Sequence, residues 1–336
     1  MGSIPGMAGA PPFDRRVLVV SGKGGTGKTT VAAALAAVAA RRGFRTILVE
    51  VEGRGGLPRV LGTAPPGFAE RPGPLGFASM ELTAHDALVE YLTVIVGMRR
   101  LSGLLRRARV TELATEAVPG FRDVMVAGKL YELTRYRETR AGADRRPWEL
   151  VVVDAPPTGQ LVPFLRSPTA YRDLIRVGRA ARHLAAIEEL VRTETRVLLV
   201  AVPEEMAVVE SIEAAEAVRE LGLPLGPVVA NRVLRPVFPK GARSAGLRLT
   251  PAAVSERLAG SGASLEEAAS GGLLEAGIAE DARVGEQRRR LAGLRAAELP
   301  VVELPSLAAP RLGREEVEVL ASHLEATLPP SSEAPG

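Results

Sequence analysis

The chain has 336 residues, of which 46% are hydrophobic and 24% are charged, and it contains no cysteine. The missing cysteines exclude disulfides, iron–sulfur clusters, thiolate metal sites and thiol nucleophiles. The composition is that of a globular protein rather than a disordered or fibrous one. Because the formal net charge is only +4, charge gives no indication of a nucleic-acid partner, and we expect none.

The two ends of the chain differ in composition from the rest. Residues 1–13 have neither the basic nor the apolar region of a secretory signal, and no apolar run approaches the ~20 residues that a membrane helix needs. We therefore expect a cytoplasmic protein. Residues 1–13 and 328–336 are rich in Gly, Pro and Ser, and we expect disordered tails around one domain at 14–327.

Short apolar runs alternate with longer helical stretches along the chain. The runs predicted as strands are Val17–Ser21, Thr46–Val51, Leu150–Asp154, Val197–Val202, Val228–Asn231 and Val301–Leu304. This alternation predicts an α/β fold, and continuously apolar runs such as VLVV are typical of strands covered by helices on both faces. We expect a doubly wound, mostly parallel sheet.

Two regions interrupt this alternation with helical periodicity. Between about residues 83 and 140 the strand signal stops and aliphatic residues recur at helical spacing, which predicts an inserted helical subdomain. A second helical stretch, Pro251 to Arg295, is expected to pack at the edge of the sheet.

A glycine-rich loop follows the first predicted strand directly. It matches G-x-x-x-x-G-K-[ST] in the strand-to-helix context that this motif requires. Its backbone N–H groups and the following helix N-terminus suit a phosphate, Lys28 suits the β- and γ-phosphates of ATP, and Thr29 suits Mg²⁺. The predicted phosphate-binding residues are Gly22, Gly24, Gly25, Thr26, Gly27, Lys28, Thr29 and Thr30.

Lysine is rare in this chain, which has four lysines among 43 basic residues, and two of them lie in the loop. The run KGGTGKTT resembles the deviant phosphate loop of the arsenite-pump ATPase, the tail-anchored-protein targeting ATPase, and the ParA and MinD partitioning ATPases. In these families the early lysine reaches the partner's nucleotide across a dimer interface. The resemblance implies that Lys23 acts in trans, like an arginine finger.

The second predicted strand continues as LVEVEGRGGL, where the family has an Asp-Pro pair that opens its first switch. Aligned on the flanking leucines, Glu52 takes the place of the aspartate that orients the attacking water. The resemblance thus implies that Glu52 is catalytic together with Lys23 and Lys28. Glu52 is one methylene longer than aspartate, however, and Gly53 replaces the proline.

The strand LVVVD ends at Asp154 and continues as APPTG, which resembles the family's D-x-A-P-T-G switch. An aspartate at the carboxyl end of a buried strand beside the phosphate loop suits Mg²⁺ binding through water. The resemblance implies Asp154 and Thr29 as the metal residues, and Thr158 and Gly159 as sensors of the γ-phosphate.

Two later segments resemble the family's base-binding region. Asn231 ends the predicted strand in PVVANR, where the family's asparagine binds adenine, and VVELP leads to Pro305 and Ser306, where the family packs against the base. The helical insert favours the arsenite-pump and targeting branch. The segments LVEVEG and VVDAPPTG are most similar to those of actinobacterial anion-transporting ATPase homologues.

The resemblance implies a dimeric ATPase that couples hydrolysis of Mg-ATP to opening and closing for a protein client or membrane partner. The dimer can be a homodimer or a heterodimer with a related ATPase subunit. Two alternatives stay open, a ParA- or MinD-like partitioning ATPase and a nucleotide-binding scaffold with little turnover. Direct arsenite sensing and a zinc-bridged dimer are disfavoured because both need thiolates.

Overall fold

The computed structural model describes residues 12–53, 55–94, 120–135, 137–138, 144–145, 147–236, 250–263, 267–309 and 311–329. The strands are β1 (Val17–Gly22), β2 (Thr46–Val51), β3 (Arg71–Pro72), β4 (Ala78–Leu82), β5 (Arg137–Glu138), β6 (Asp144–Arg145), β7 (Leu150–Asp154), β8 (Thr195–Ala201), β9 (Val228–Val233) and β10 (Val301–Pro305). The helices are α1 (Lys28–Arg41), α2 (Gly56–Leu61), α3 (Ala84–Val94), α4 (Phe121–Leu133), α5 (Thr158–Leu174), α6 (Gly178–Thr193), α7 (Glu205–Glu220), α8 (Pro251–Gly260), α9 (Glu267–Ala296) and α10 (Arg314–Thr327).

Eight strands form one sheet, in the order β10-β9-β8-β1-β7-β2-β4-β3. Every neighbouring pair is parallel except β3 with β4, which is antiparallel. The remaining pair, β5 and β6, is a separate antiparallel ribbon. The predicted α/β fold with a doubly wound, mostly parallel sheet is confirmed.

All six predicted strands are present at nearly the predicted bounds. The sequence did not indicate β4, whose residues ASMEL include no β-branched side chain, so its local preference for strand is weak. Its backbone is nevertheless paired with β2 from Ala78 to Leu82. Pairing with a strong central strand therefore decides the conformation of β4.

Helices cover both faces of the sheet, and alternate residues of each strand point to opposite faces. Leu18 and Val20 of β1 pack with α1 and α10, whereas Val17 and Val19 pack with α4, α5, α7 and α9 on the other side. Helix α1 is buried from Thr30 to Ala39 and is rich in alanine. Small side chains let α1 lie close to the central strands, directly behind the glycine-rich loop.

The described fold begins and ends close to the expected tail boundaries. Phe13, at the end of the segment expected to be a tail, is buried and packs against Phe44 and Arg42. Leu328, the first residue of the other expected tail, is also buried. Residues 1–11 and 330–336 lie outside the described residues.

The predicted helical insert is represented by α3 and α4, which pack on each other. Residues 95–119 between them, including part of the predicted insert, lie outside the described residues. The second predicted helical stretch comprises α8 and α9, and α9 packs against α7 and β9. Strand β9 lies next to the edge strand β10, which places α9 over that end of the sheet.

Candidate functional site

The glycine-rich loop lies at the carboxyl end of β1, in the middle of the sheet. Close packing requires two of its glycines. A Cβ on Gly22 would lie 2.1 Å from the carbonyl oxygen of Val200, and a Cβ on Gly27 would lie 2.4 Å from Nδ2 of Asn231. Gly27 also has a φ of 91°, which side chains other than glycine rarely adopt.

The outer part of the loop has room for an anion. Apart from adjoining residues, no described atom lies within 4 Å of the point where a Cβ would stand on Gly24 or Gly25. Within the loop, Nζ of Lys28 lies 3.5 Å from the carbonyl oxygen of Lys23, and the hydroxyl of Thr26 donates to the same oxygen at 2.9 Å. Open backbone in a loop that also carries an ammonium group fits a phosphate.

Thr29 and Asp154 meet at the inner end of the loop. The hydroxyl of Thr29 donates to Oδ2 of Asp154 at 2.5 Å. Burial raises the pKa of Asp154 to about 6. The hydrogen bond from Thr29 lowers this pKa, the nearby charge of Glu50 raises it, and the charge of Lys28 lowers it. Asp154 thus carries a desolvated charge, which a cation would stabilise.

These groups fit a magnesium ion beside a nucleoside triphosphate. Mg²⁺ prefers oxygen ligands, and Thr29 and Asp154 supply a hydroxyl and a carboxylate side by side. The described residues contain no cluster of three or more acidic or histidine side chains that holds a metal alone, so phosphates and water would complete the shell. Bound there, the ion would neutralise charge on the phosphates.

Lys23 makes an ion pair within its own chain. Its Nζ lies 2.6 Å from Oε1 of Glu210 on α7, and the hydroxyl of Thr158 lies 3.3 Å from Oε2 of the same carboxylate. Glu210 therefore connects the loop to the first residue of α5. The hydroxyl of Ser21 also donates to the carbonyl oxygen of Pro156 at 2.6 Å, so the loop region is also bound to the segment just before the predicted γ-phosphate sensor.

Glu52 points to the helical insert. Its backbone has a φ of 53°, and its Oε1 accepts hydrogen bonds from the Ala84 N–H at 3.0 Å and from Nε of Arg122 at 3.1 Å. Its Oε2 lies 2.5 Å from Nη2 of Arg122. The predicted water-orienting residue is thus bound to the start of α3 and to α4. Its role in hydrolysis stays a prediction.

Glu50 lies nearer the predicted metal residues. It is Asp154's Cα partner across β2 and β7, and its Oε1 accepts hydrogen bonds from the N–H groups of Gly56 at 3.0 Å and Leu57 at 3.3 Å. A Cβ on Gly56 would lie 3.0 Å from Oε1 of Glu50 and 3.3 Å from the Thr29 hydroxyl oxygen. The start of α2 is therefore close to both of these groups.

The predicted base-binding residues lie at the same edge of the sheet. The Asn231 amide donates from Nδ2 to the carbonyl oxygen of Thr26 at 2.9 Å, and its Oδ1 accepts from the N–H of Arg232 at 3.0 Å. Asn231 thus supports the loop directly. Ser306, just after Pro305, donates its N–H to the carbonyl oxygen of Val233 at 2.9 Å. Contacts with adenine stay predictions for Asn231, Pro305 and Ser306.

The other predicted residues belong to the same two segments. Thr30 is buried in the first turn of α1, and Gly159 lies in the first turn of α5 with no described atom near its Cβ position apart from adjoining residues. The structure therefore brings together the loop, Asp154 and Asn231, and it connects Lys23 to Thr158 through Glu210. It leaves Glu52 bound to the helical insert.

Comparison with known proteins agrees with this site. Residues 15–193 match the family described as anion-transporting ATPase. The chain belongs to the anion-transporting ATPase family. This ATPase is 33% identical to ATPase BagA of Mycobacterium tuberculosis over 303 residues, which cover 87% of each chain. It is 27% identical to a protein of Aquifex aeolicus named for the arsenical pump-driving ATPases, over 45% of this chain and 49% of that protein.

The family match confirms the predicted resemblance and the predicted ATPase activity. Among the described residues of this ATPase, no helix combines the length and apolar character needed to cross a membrane. Three residues that the structure places near the site were not among the predicted site residues, namely Glu50, Glu210 and Arg122. For Glu50 a signal existed, because a carboxylate stands in the otherwise apolar strand TILVEV.

A cavity of about 300 Å³ lies among α3, α4, α5 and α6. Its wall is mainly apolar and aromatic, and burial lowers the pKa of His183 there. The buried ammonium of Lys129 pairs with Glu90 at 2.5 Å within this wall. Because Glu52 binds Arg122 on α4, one ion pair joins the loop after β2 to a helix that lines the cavity.

Proposed function

We propose that this ATPase is a dimeric switch in the cytoplasm that binds and hydrolyses Mg-ATP and, by opening and closing, acts on a protein client or membrane partner. The loop with Lys28 would hold the phosphates, and Thr29 and Asp154 would hold the cation. Thr158 and Gly159 would sense the γ-phosphate. Lys23 would supply its charge to the nucleotide of a second subunit, either an identical chain or a related ATPase subunit.

The observation that carries this proposal is the position of the Lys23 ammonium. It is bound to Glu210 at the surface, where its side chain keeps 36% of its exposure. A lysine that served its own nucleotide would be expected beside Lys28, under the open loop. An exposed ion pair is weak, typically worth ~0.2–1 kcal/mol, so a second subunit's phosphates can displace Glu210 at small cost.

The surface around Glu210 also supports contact with a second subunit. Met206 and Val209 lie on the same helix within one turn of Glu210 and are 59% and 43% exposed. Apolar side chains next to a charged pair are typical of surfaces that bind another protein. This patch would be covered in the closed dimer.

The decisive experiment compares mass by light scattering in ADP and in a γ-phosphate mimic. We expect a monomer or open dimer in ADP and a compact dimer in the mimic, with Lys23→Ala impaired in closure and turnover more than in ATP binding. Mixing Lys23→Ala with Glu52→Ala should restore one composite site in a homodimer. Arg192→Ala, at an exposed cation far from the loop, is the matched control.

Suppose that Lys23→Ala loses ATP binding and hydrolysis equally and shows no rescue on mixing. This result would mean either that Lys23 acts on the nucleotide of its own subunit or that the partner is a different chain. Repeating the mixing with co-purified subunits separates these two outcomes. A mass that stays the same in both nucleotides would remove the dimer switch from the proposal.

A nucleotide-binding scaffold with little turnover is the second candidate, and one observation favours it. Both carboxylate oxygens of Glu52 are bound by Arg122 or by the Ala84 N–H. If this arrangement persists with ATP bound, no carboxylate from this turn orients water. Phosphate release at the rate of uncatalysed hydrolysis, with tight ATP binding, would identify the scaffold.

A further inference from the structure

Glu50 is a buried carboxylate that the phosphate-loop motif does not explain. It lies near the end of β2 and is only 5% exposed. Glutamate is almost never this buried unless it is paired or hydrogen-bonded, because an ionised group loses much of its hydration there. The contacts of Glu50 should therefore show what the charge does.

On one side Glu50 holds the backbone of a turn. Its carboxylate accepts hydrogen bonds from the N–H groups of Gly56 and Leu57, at 3.0 and 3.3 Å. These residues begin α2 and follow directly on the turn that carries Glu52. The position of this turn thus depends on the position of the Glu50 carboxylate.

On the other side Glu50 faces the groups that would hold the cation. Its Cα partner on the neighbouring strand is Asp154, and its negative charge contributes to the raised pKa of that residue. Gly56 lies close to both Glu50 and Thr29, since a Cβ there would lie 3.0 Å from Oε1 of Glu50 and 3.3 Å from Oγ1 of Thr29. Glu50 and Thr29 are therefore both close to the start of α2.

We propose that Glu50 is a positioning residue of the ATPase site, whose charge responds to the divalent cation at Thr29 and Asp154 and transmits its presence to the turn before α2. This inference rests on the proposed Mg-ATP site. Glu50 would be a second carboxylate of the site, on β2, beside Asp154 at the end of β7. The turn that carries Glu52 would then be held more firmly when both nucleotide and cation are present.

The charge of Glu50 should discriminate between ATP with and without its metal. Two buried carboxylates beside the loop would repel a bare triphosphate, and a divalent cation bound with the triphosphate would offset this repulsion. A hydrogen-bonding role alone needs no charge. The amide of glutamine accepts the same two backbone hydrogen bonds, so Glu50→Gln separates charge from shape.

The test titrates a fluorescent ATP analogue into the protein with Mg²⁺ and again with EDTA. For Glu50→Gln we expect the ratio of the two affinities to fall by on the order of tenfold, because Mg-free ATP binds more tightly and Mg-ATP less tightly. Glu50→Asp, which keeps the charge but is too short for the backbone contacts, should keep most of the ratio. Glu303→Gln, on the distant strand β10, should behave as the parental protein.

An unchanged ratio in Glu50→Gln, with a parental protein that discriminates between Mg-ATP and ATP, overturns the role of Glu50 alone and leaves the proposed function standing. An effect of equal size with Mg²⁺ and with EDTA also overturns it, since a merely structural glutamate acts on both complexes. If the parental protein binds no ATP in either buffer, the proposed function fails as well.

A second measurement uses the parental protein and does not depend on the folding of a variant. Hydrogen exchange at the amides of Gly56 and Leu57 reports directly on the bonds to Glu50. We expect slower exchange with Mg-ATP than with ATP in EDTA, by at least severalfold. The same exchange rate in both states would show that the cation does not act on this turn.

Discussion

The Lys23 ammonium lies 2.6 Å from the Glu210 carboxylate of its own chain. The same carboxylate is 3.3 Å from the hydroxyl of Thr158. One side chain on α7 therefore contacts both the residue expected to act on a second subunit and the residue expected to sense the γ-phosphate. In this structure Lys23 is held within its own chain, and the proposed closure of a dimer would require that this ion pair opens.

The first prediction is that Glu210→Gln favours the closed dimer. Removing the charge frees Lys23, and an exposed ion pair is worth up to about 1 kcal/mol, so the concentration of γ-phosphate mimic at half-maximal dimerisation should fall by about twofold to fivefold. Light scattering measures this midpoint. Glu216→Gln, on another face of the same helix, should leave it unchanged. A higher midpoint in Glu210→Gln would instead place Glu210 within the closed interface.

The second prediction concerns the loop. Lys28→Ala removes an ammonium that would bind phosphate oxygens, so affinity for ATP should fall by about tenfold to a hundredfold. Thr29→Ala removes the hydroxyl beside Asp154 and should weaken binding only when Mg²⁺ is present. Equilibrium binding of a fluorescent ATP analogue measures both, with Thr193→Ala at the end of α6 as control. Parental affinity and turnover in both variants would remove the phosphate-loop interpretation.

The strands and the loop could be predicted because their signals are local. Apolar runs and the glycine spacing lie within short segments, and each adopts the conformation that its own residues favour. The contacts of Glu210 could not be predicted in this way, because 187 residues separate it from Lys23. Only the order of the strands, which places α7 beside the loop, brings the two together.

Glu52 shows a different limit of sequence reasoning. The resemblance gave the expected position of Glu52 along the chain but not the direction of its side chain, which is set by a left-handed backbone at φ 53° and by an arginine 70 residues away. For Glu50, two residues earlier, the sequence indicates the direction of the side chain but not the residue beside it. The alternation of β2 places Glu50 on the same face as Leu48, toward α1, yet only the paired strand β7 shows that Asp154 stands beside it.

The third prediction is that hydrolysis requires Glu52 and that the ion pair with Arg122 slows hydrolysis. If Glu52 orients water, Glu52→Gln should bind ATP normally and lose turnover by about a hundredfold or more. Arg122→Ala releases the Glu52 carboxylate and should raise basal turnover by up to about fivefold, the value of an exposed ion pair. Phosphate release under saturating Mg-ATP measures both rates.

Glu52→Asp, which restores the residue type typical of the family, serves as the conservative variant and should keep partial activity. Hydrolysis at the parental rate in Glu52→Gln would mean that water is oriented elsewhere or that turnover is uncatalysed. A fall in turnover for Arg122→Ala would show that the ion pair supports the active arrangement instead of opposing it.

The last prediction links Asp154 to stability and pH. Burial raises its pKa from 3.8 to about 6 in the folded chain, so at pH 7 the folded state carries a charge that costs about 3 kcal/mol relative to the unfolded state. As pH falls from above 6 toward 4, the folded chain binds a proton that the unfolded chain does not, and this cost disappears.

The variant Asp154→Asn keeps an acceptor for Thr29 but never ionises. Without nucleotide or metal, urea unfolding should therefore show the variant more stable than the parental protein at pH 7.5, by up to about 3 kcal/mol, and the difference should shrink to near zero by pH 4. Asp173→Asn, at an exposed carboxylate, should show no such trend. A stability difference that is independent of pH, or a variant that is less stable at pH 7.5, would contradict a desolvated charge at Asp154. If the variant gains stability and also loses Mg-dependent ATP binding, the charge of Asp154 serves to bind the cation.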